Sequence, residues 1–307
     1  AEDITPSRFL SVDWTGRGIA LEAGSVTSHV AMLARTRGVP MLVGLGPVDV
    51  VPGEDALLDA EAGRFVIAPD PGERASFASD MVRLAERKAG DAELALKPAV
   101  SSRAGNVQVM INIADPAELD GIDAAVCDGI GLARTELMFH GPGGPTNELP
   151  DEEAQLAVYR RLLSWADGRP VTVRTLDAGG DKPIPGYTLD NESNSFLGVR
   201  GVRLSLMHPD VFRVQIRALL RAAADGDIRI MIPIVSVPTE MEQVGSIVLE
   251  EAARLASGGL SHRIPPVGMM VEVPAAALIL ERFDTDFASI GSNDLTQYTM
   301  AASRDTP

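Results

Sequence analysis

The rhythm of apolar and polar positions changes once along the chain, near residue 100. Up to about residue 68, short apolar runs alternate with turn signals: RFLSV, IALEA, MLVGL, then VVPGEDALLDAEAGRFVIAP. Gly53-Glu54-Asp55 and Glu61-Ala62-Gly63 read as turns between strands, and Pro69 to Gly72 punctuates the end of the unit. Inside it, GSVTSHVAMLARTRGVPMLVG (24–44) predicts a helix capped by Thr27 or Ser28, with Val30, Leu33 and Ala34 on one face. Gly38 and Pro40 stop that helix, and Met41 to Val43 reads as a strand. From Glu73 to about Leu96 a charged segment has helical spacing, with Phe77, Met81 and Leu84 on one face. It predicts a connecting helix, or the first helix of a second domain.

Beyond Val107 the pattern becomes strand-like apolar runs separated mostly by helical stretches. The runs are VQVMINIA, AVCDGIGLAR, VTVRTLDAGG, IRIMIPIV, VGMMVEVP and FASIGSND, and the helical periods lie in EEAQLAVYRRLLSWA, PDVFRVQIRALLRAAA and PTEMEQVGSIVLEEAARLA. Such alternation predicts parallel strands with crossover helices. No glycine-rich dinucleotide fingerprint follows the first run, which favours a (β/α)8 barrel over a doubly wound sheet. The expected fold class is α/β: a small α/β domain (1–70), a linker helix (71–100) and an incomplete (β/α)8, TIM-like barrel (101–307). Two barrel strands are missing from the pattern, and the chain stops at Pro307 just after a motif-rich loop, as expected for a piece of a longer protein.

Composition narrows the partners. Forty-three acidic against 27 basic residues give a net charge of -16, which argues against nucleic-acid or anionic-membrane binding over a broad basic face. A phosphorylated ligand would therefore need a local arginine cluster. The one cysteine, Cys127, excludes an internal disulfide and agrees with a reducing cytoplasmic setting. The N-terminal AEDITPSRF has no signal-peptide pattern, and no run of about 18 apolar residues appears.

Functional groups of such a barrel belong at the C-terminal ends of its strands. Arg134 ends the second run, Arg174 the third, Glu272 the fifth, and Asn293 with Asp294 the sixth; Arg200, Arg203 and Arg304 fall in loops or at element boundaries. A single arginine is ordinarily a solvated surface group, but several around one mouth offer planar forks for a small polyanion. Glu272 and Asp294 supply two hard oxygens, a set that suits Mg²⁺, whereas no His/Cys cluster calls for zinc. His29 would sit in the first turn of its helix, where free amides and the positive dipole end favour an anion on the imidazole. His140, His208 and His262 have no partner spacing and read as structural or surface residues.

Six segments in order resemble enzyme I of the phosphoenolpyruvate-dependent sugar phosphotransferase system, the phosphoenolpyruvate–protein phosphotransferases. They are TSHVAMLAR around His29, GIGLARTELMF (129–139), RTLDAGGDK (174–182), FLGVRGVR (196–203), MVEVPAAAL (270–278) and IGSNDLTQYTMAASR (290–304). The resemblance implies a swivelling phosphohistidine domain ahead of a phosphoenolpyruvate-binding barrel. It implies His29 as phosphoryl acceptor, Arg134, Arg174, Arg200, Asn293 and Arg304 as substrate ligands, and Glu272 and Asp294 as Mg²⁺ ligands. It further implies transfer onward to a histidine of a small phosphocarrier protein, and a homodimer for the full-length enzyme. Ser25 stands where the family usually has a second glycine, and Val199 where it has an aromatic. The helical carrier-docking domain and the cysteine expected to protonate the enolate have no counterpart in the sequence; Cys127 does not match that cysteine. Pyruvate phosphate dikinase and phosphoenolpyruvate synthase share the histidine, RTE and ND elements, while RTLDAGGDK favours enzyme I. A dikinase or synthase fragment and a regulatory module that binds phosphoenolpyruvate without turnover are the alternative readings.

Overall fold

The computed structural model describes residues 4–5, 8–9, 11–24, 28–136, 149–179, 184, 186–189 and 192–302, with the side chains of His29, Met32 and Thr36 outside the description. The chain divides into two units, Ala1–Leu94 and Ala95–Pro307.

In the first unit β1 (Ile19–Ala20) and β2 (Met41–Leu42) pair in parallel around α1 (His29–Thr36). Val30 and Ala34, four residues apart on α1, enter a core with Phe9, Ile19, Leu21 and Val39, so the face picked out by the apolar spacing is the buried one. Trp14 stacks on Phe9 at 5.5 Å and donates its indole N–H to the Phe9 carbonyl at 2.8 Å. β3 (Ala56–Asp59) and β4 (Arg64–Ile67) form an antiparallel hairpin. Its turn is held by the Asp59 carboxylate, which accepts from the N–H groups of Glu61 and Ala62.

The charged segment folds as α2 (Pro71–Ala95). A reciprocal box opens it: Glu73 N–H donates to Asp70 Oδ1 at 2.8 Å, and Asp70 N–H to Glu73 Oε2 at 2.9 Å. None of its residues is buried. The Phe77, Met81 and Leu84 stripe is partly exposed, and ion pairs Arg64–Asp80 and Arg87–Glu61 tie the helix to the hairpin.

The second unit opens with an exposed hairpin, β5 (Ala99–Ser101) and β6 (Gly105–Val107). The six apolar runs then supply β7 (Ile111–Ile113), β8 (Ile130–Ala133), β9 (Val171–Arg174), β10 (Ile228–Ile232), β11 (Val267–Val271) and β12 (Ala288–Ile290). These lie side by side in chain order, every neighbouring pair parallel. The sheet curls: Arg174 at the end of β9 reaches Met270 of β11, Nη1 to Sδ 3.8 Å, across the intervening β10. The result is a half-barrel, the incomplete TIM-like architecture expected. β9 is buried at every residue, as a central parallel strand covered on both faces should be. Just before β8, Gly129 adopts φ +139°, and a Cβ there would meet the Pro170 carbonyl at 2.4 Å, so no larger residue fits.

α3 (Glu152–Ala166), α5 (Pro209–Ala222) and α6 (Pro238–Ser257) pack their apolar faces over the strands around Leu156, Tyr159, Ile216, Leu219 and Val244. Arg213, Arg217 and Arg221, four residues apart on α5, bridge Glu152 and Glu153 of α3 and Glu250 and Glu251 of α6. This rivet on the outer helix layer takes three arginines out of the pool available for ligand. The shorter α4 (Val202–Met207), α7 (Pro274–Leu278) and α8 (Ser292–Met300) complete the unit. Among the described residues no helix is long and apolar enough to cross a membrane.

Candidate functional site

The C-terminal strand ends carry a buried cluster of alternating charges. Arg174, the last residue of β9, donates from Nη2 to Glu136 Oε1 at 2.8 Å and lies 3.4 Å from Asp177 Oδ2 through Nη1. Arg200, just before α4, grips Asp177 with two parallel bonds, Nε–Oδ1 3.2 Å and Nη2–Oδ2 2.9 Å. Its Nη1 reaches Asp294 Oδ1 at 3.5 Å and donates to Tyr298 Oη at 3.3 Å. Tyr298 in turn donates to the Phe196 carbonyl at 2.5 Å. Asp177 thus bridges two guanidinium groups, all three side chains lying within the protein.

Charge outweighs burial at both arginines. Burial disfavours the Arg174 cation, yet Glu136, Asp177 and Glu272 together raise its pKa above the usual arginine value. Burial likewise opposes the Arg200 cation, and Asp177, Tyr298 and Asp294 overcome it. Arg174 Nε is buried with no hydrogen-bond partner among the described residues, an orphan donor of the kind an oxyanion satisfies.

Glu272 follows β11 directly and is 1 % exposed. Burial, then the Asp177 charge, push its pKa up to about 7; the Ile234 N–H bond and Arg174 pull the other way, and Asp294 adds to the rise. Folded Glu272 therefore keeps its proton to about pH 7, whereas an unperturbed glutamate releases it near 4.5. The folded state binds more protons between those values, so stability falls as pH rises through that window and stays lower above it. A shift of this size corresponds to about 3 kcal/mol. In metal-free protein, Glu272→Gln should remove that part of the stability difference between pH 5 and pH 8 measured by urea unfolding. An unchanged difference would assign the titration elsewhere.

The other residues singled out from the sequence divide. Asp294 lies in the first turn of α8 and is buried in the cluster, whereas Asn293 beside it is exposed. Arg134 does follow the end of β8, but its side chain is exposed, and it is Thr135 and Glu136 that turn inward. Thr135 Oγ1 donates to the Arg174 carbonyl at 3.0 Å. Arg203 is occupied: Nη1 holds the carbonyls of Leu197 and Gly198, and Nη2 donates to Ser236 Oγ. Arg304 and His140 lie outside the described residues. His29 is the first residue of α1, and Ser28 is the cap, its hydroxyl accepting from Ala31 N–H at 3.2 Å. The other histidines have structural contacts, His208 against the Tyr187 ring and His262 with the Leu260 carbonyl. Cys127 is buried, its thiol directed to the Ala124 carbonyl.

Sequence reasoning passed over Glu136, Asp177 and Tyr298. Each had a signal: Glu136 closes the RTE triplet, Asp177 lies three residues past Arg174, and Tyr298 is four residues past Asp294 on one helix. An open cleft of about 630 Å³ adjoins the cluster, lined by Phe196, Arg203, Ile234, Val273, Gln297 and Tyr298. Among the described residues no three His, Cys, Asp or Glu side chains form a ready metal nest. Glu272 and Asp294 fit a cation that takes one or two carboxylates and completes its shell with water and ligand oxygens. Burial is the first cause of the raised Glu272 pKa, and the Asp177 and Asp294 charges add to it; such a cation would offset that added negative charge.

Two family descriptions match the chain: "PEP-utilising enzyme, PEP-binding domain" over residues 88–307 and "PEP-utilising enzyme, mobile domain" over residues 1–63. Phosphoenolpyruvate-protein phosphotransferase of Bacillus sp. (strain S) is 40 % identical over 310 residues, covering 99 % of this chain and 53 % of the relative. That of Priestia megaterium is 39 % identical over 311 residues, covering 99 % and 53 %. The multiphosphoryl transfer protein of Rhodobacter capsulatus is 39 % identical over 312 residues, covering 100 % of this chain and 37 % of the relative. The chain thus spans about half the length, or less, of these curated relatives.

Proposed function

The chain belongs to the PEP-utilising enzymes, and on that premise we propose that it carries the catalytic core of a phosphoenolpyruvate–protein phosphotransferase. Residues 1–70 act as the swivelling phosphohistidine domain, 71–100 as the linker, and 101–307 as the phosphoenolpyruvate-binding barrel. The full-length protein works in the cytoplasm as a homodimer and passes its phosphoryl group to a histidine of a small carrier protein. The observation that carries this reading is the convergence of Arg174, Arg200, Glu272 and Asp294 at the C-terminal strand ends. Identity near 40 % to proteins named for this activity supports it.

The chemistry follows from charge. A neutral His29 nitrogen attacks phosphorus, an N–P bond forms, and the bond from phosphorus to the enol oxygen breaks, its electron pair leaving with enolpyruvate. Pyruvate results once carbon takes up a proton. Transfer of this kind needs in-line placement and neutralisation more than covalent help. Arg174 and Arg200 bind and orient the phosphate and carboxylate oxygens, with Arg134, Asn293 and Arg304 as further substrate ligands. Glu272 and Asp294 hold Mg²⁺, which supplies neutralising charge on the transferring group when bound. Binding it requires ionised Glu272, so the Mg²⁺ requirement should ease as pH rises through about 7. The test is phosphoryl uptake by the intact protein from ³²P-labelled phosphoenolpyruvate with Mg²⁺. Acid-labile, base-stable label dependent on both is expected; binding of substrate without any label would favour a regulatory module.

A further inference from the structure

Four non-glycine residues have positive φ among those described: Ala68, Asp167, Ile234 and Ala301. Asp167 and Ala301 end α3 and α8 in the left-handed conformation common at helix termini, and Ala68 follows β4. Ile234 is different. It is β-branched, 2 % exposed, and sits two residues past β10 with φ +57°, where its branched side chain is an outlier. Strain of this type persists only where the surroundings over-determine it.

The surroundings do so. Ile234 N–H donates to Glu272 Oε1 at 2.7 Å, in the interior. On the other side the Pro233 carbonyl accepts from Val202 N–H at 3.2 Å. Gly201 shares φ +57°, and a Cβ on it would stand 2.8 Å from Ile234 Cβ and Cγ1. Ser236 Oγ donates to the Ile234 carbonyl at 3.4 Å while accepting from Arg203 Nη2 at 2.7 Å. Rotation about N–Cα to the usual negative φ could keep the N–H on Glu272 only by moving the side chain away from Gly201 and swinging the following chain, Ser236 included, away from Arg203.

We propose that Ile234 is a positioning residue: its left-handed turn aims a backbone N–H at the Glu272 carboxylate and seats the segment that presents Arg200, fixing the two relative to each other. The roles of Glu272 and Arg200 as metal and substrate ligands rest on the function proposed above; the turn does not. Outer-shell bonds of this kind orient metal carboxylates, and their loss typically weakens metal binding roughly tenfold to a hundredfold.

The test replaces Ile234 in the intact protein by its α-hydroxy acid, which deletes the N–H and keeps the side chain. Mn²⁺ binding is then read by electron paramagnetic resonance. Affinity roughly tenfold weaker or more, in an ester variant that still unfolds cooperatively, supports the proposal; parental affinity in such a variant, where Glu272→Gln does weaken Mn²⁺ binding, overturns it. Should the ester fail to fold, the Ile234 amide resonance of ¹⁵N-labelled protein decides. A downfield proton that moves upfield in Glu272→Gln is expected, and an amide indifferent to that change overturns the proposal. Mn²⁺ binding that Glu272→Gln leaves intact would refute the metal assignment alone, and the same resonance would still judge the positioning.

Discussion

His29→Ala should reduce phosphoryl uptake from phosphoenolpyruvate to background while leaving the affinity of the strand-end cluster for that ligand unchanged. The place of the proposed acceptor explains both halves. His29 is the first residue of α1, where N–H groups lack intrahelical acceptors, and the first turn holds no acidic residue to compete with a phosphoryl dianion. The positive end of the helix thus lies at the backbone of this residue. Alanine at this position keeps the helix, because the Ser28 hydroxyl continues to accept from Ala31 N–H. The proposed ligand-binding groups belong to the other unit of the chain. Mass spectrometry of protein quenched at high pH reports the label, and calorimetry reports the affinity. Undiminished acid-labile phosphate on the variant would move the acceptor elsewhere.

Much of the barrel was legible because its strands announce themselves. VGMMV is a run without a charged residue and IRIMI is interrupted only by the half-buried Arg229, both bounded by Pro and charged residues, and strands buried on both faces are written nearly that way. The hairpin at 99–107 was not legible, since its three-residue strands carry no alternation and β6 is exposed throughout. The stripe on α2 misled in another sense: Phe77, Met81 and Leu84 share a face that stays partly exposed. At the candidate site, strand ends predicted which positions gather but not where side chains point, so Arg134 was placed correctly along β8 and yet faces out. Buried carboxylates are harder still. Composition presents Glu136 and Asp177 as ordinary surface acids, and only folding reveals them as counter-charges to Arg174 and Arg200. The left-handed turn at Ile234 has no pattern signal, because its sequence argues against the conformation it adopts.

Asp177→Asn tests whether that carboxylate holds the cluster together, and it should cost about 3 kcal/mol of stability at pH 8. Asp177 is the bidentate partner of Arg200 and a second partner of Arg174. Removing its charge leaves two buried cations sharing Glu136 and Asp294, the situation in which breaking a buried pair is costly rather than neutral. The substitution has a second effect of opposite sense. Asp177 is the foremost charge raising the Glu272 pKa, so without it Glu272 should ionise at lower pH, and the loss of stability with rising pH should end below about pH 7. Urea unfolding across pH 5 to 8, on the parent and on Asp177→Asn, separates the two effects. Added inorganic phosphate should stabilise the variant more than the parent, because the anion supplies the charge the arginines lack. Equal stability of the two proteins at pH 8, with no preferential gain from phosphate, would mean that the arginines do not depend on Asp177 and that Glu136 and Asp294 suffice to hold them.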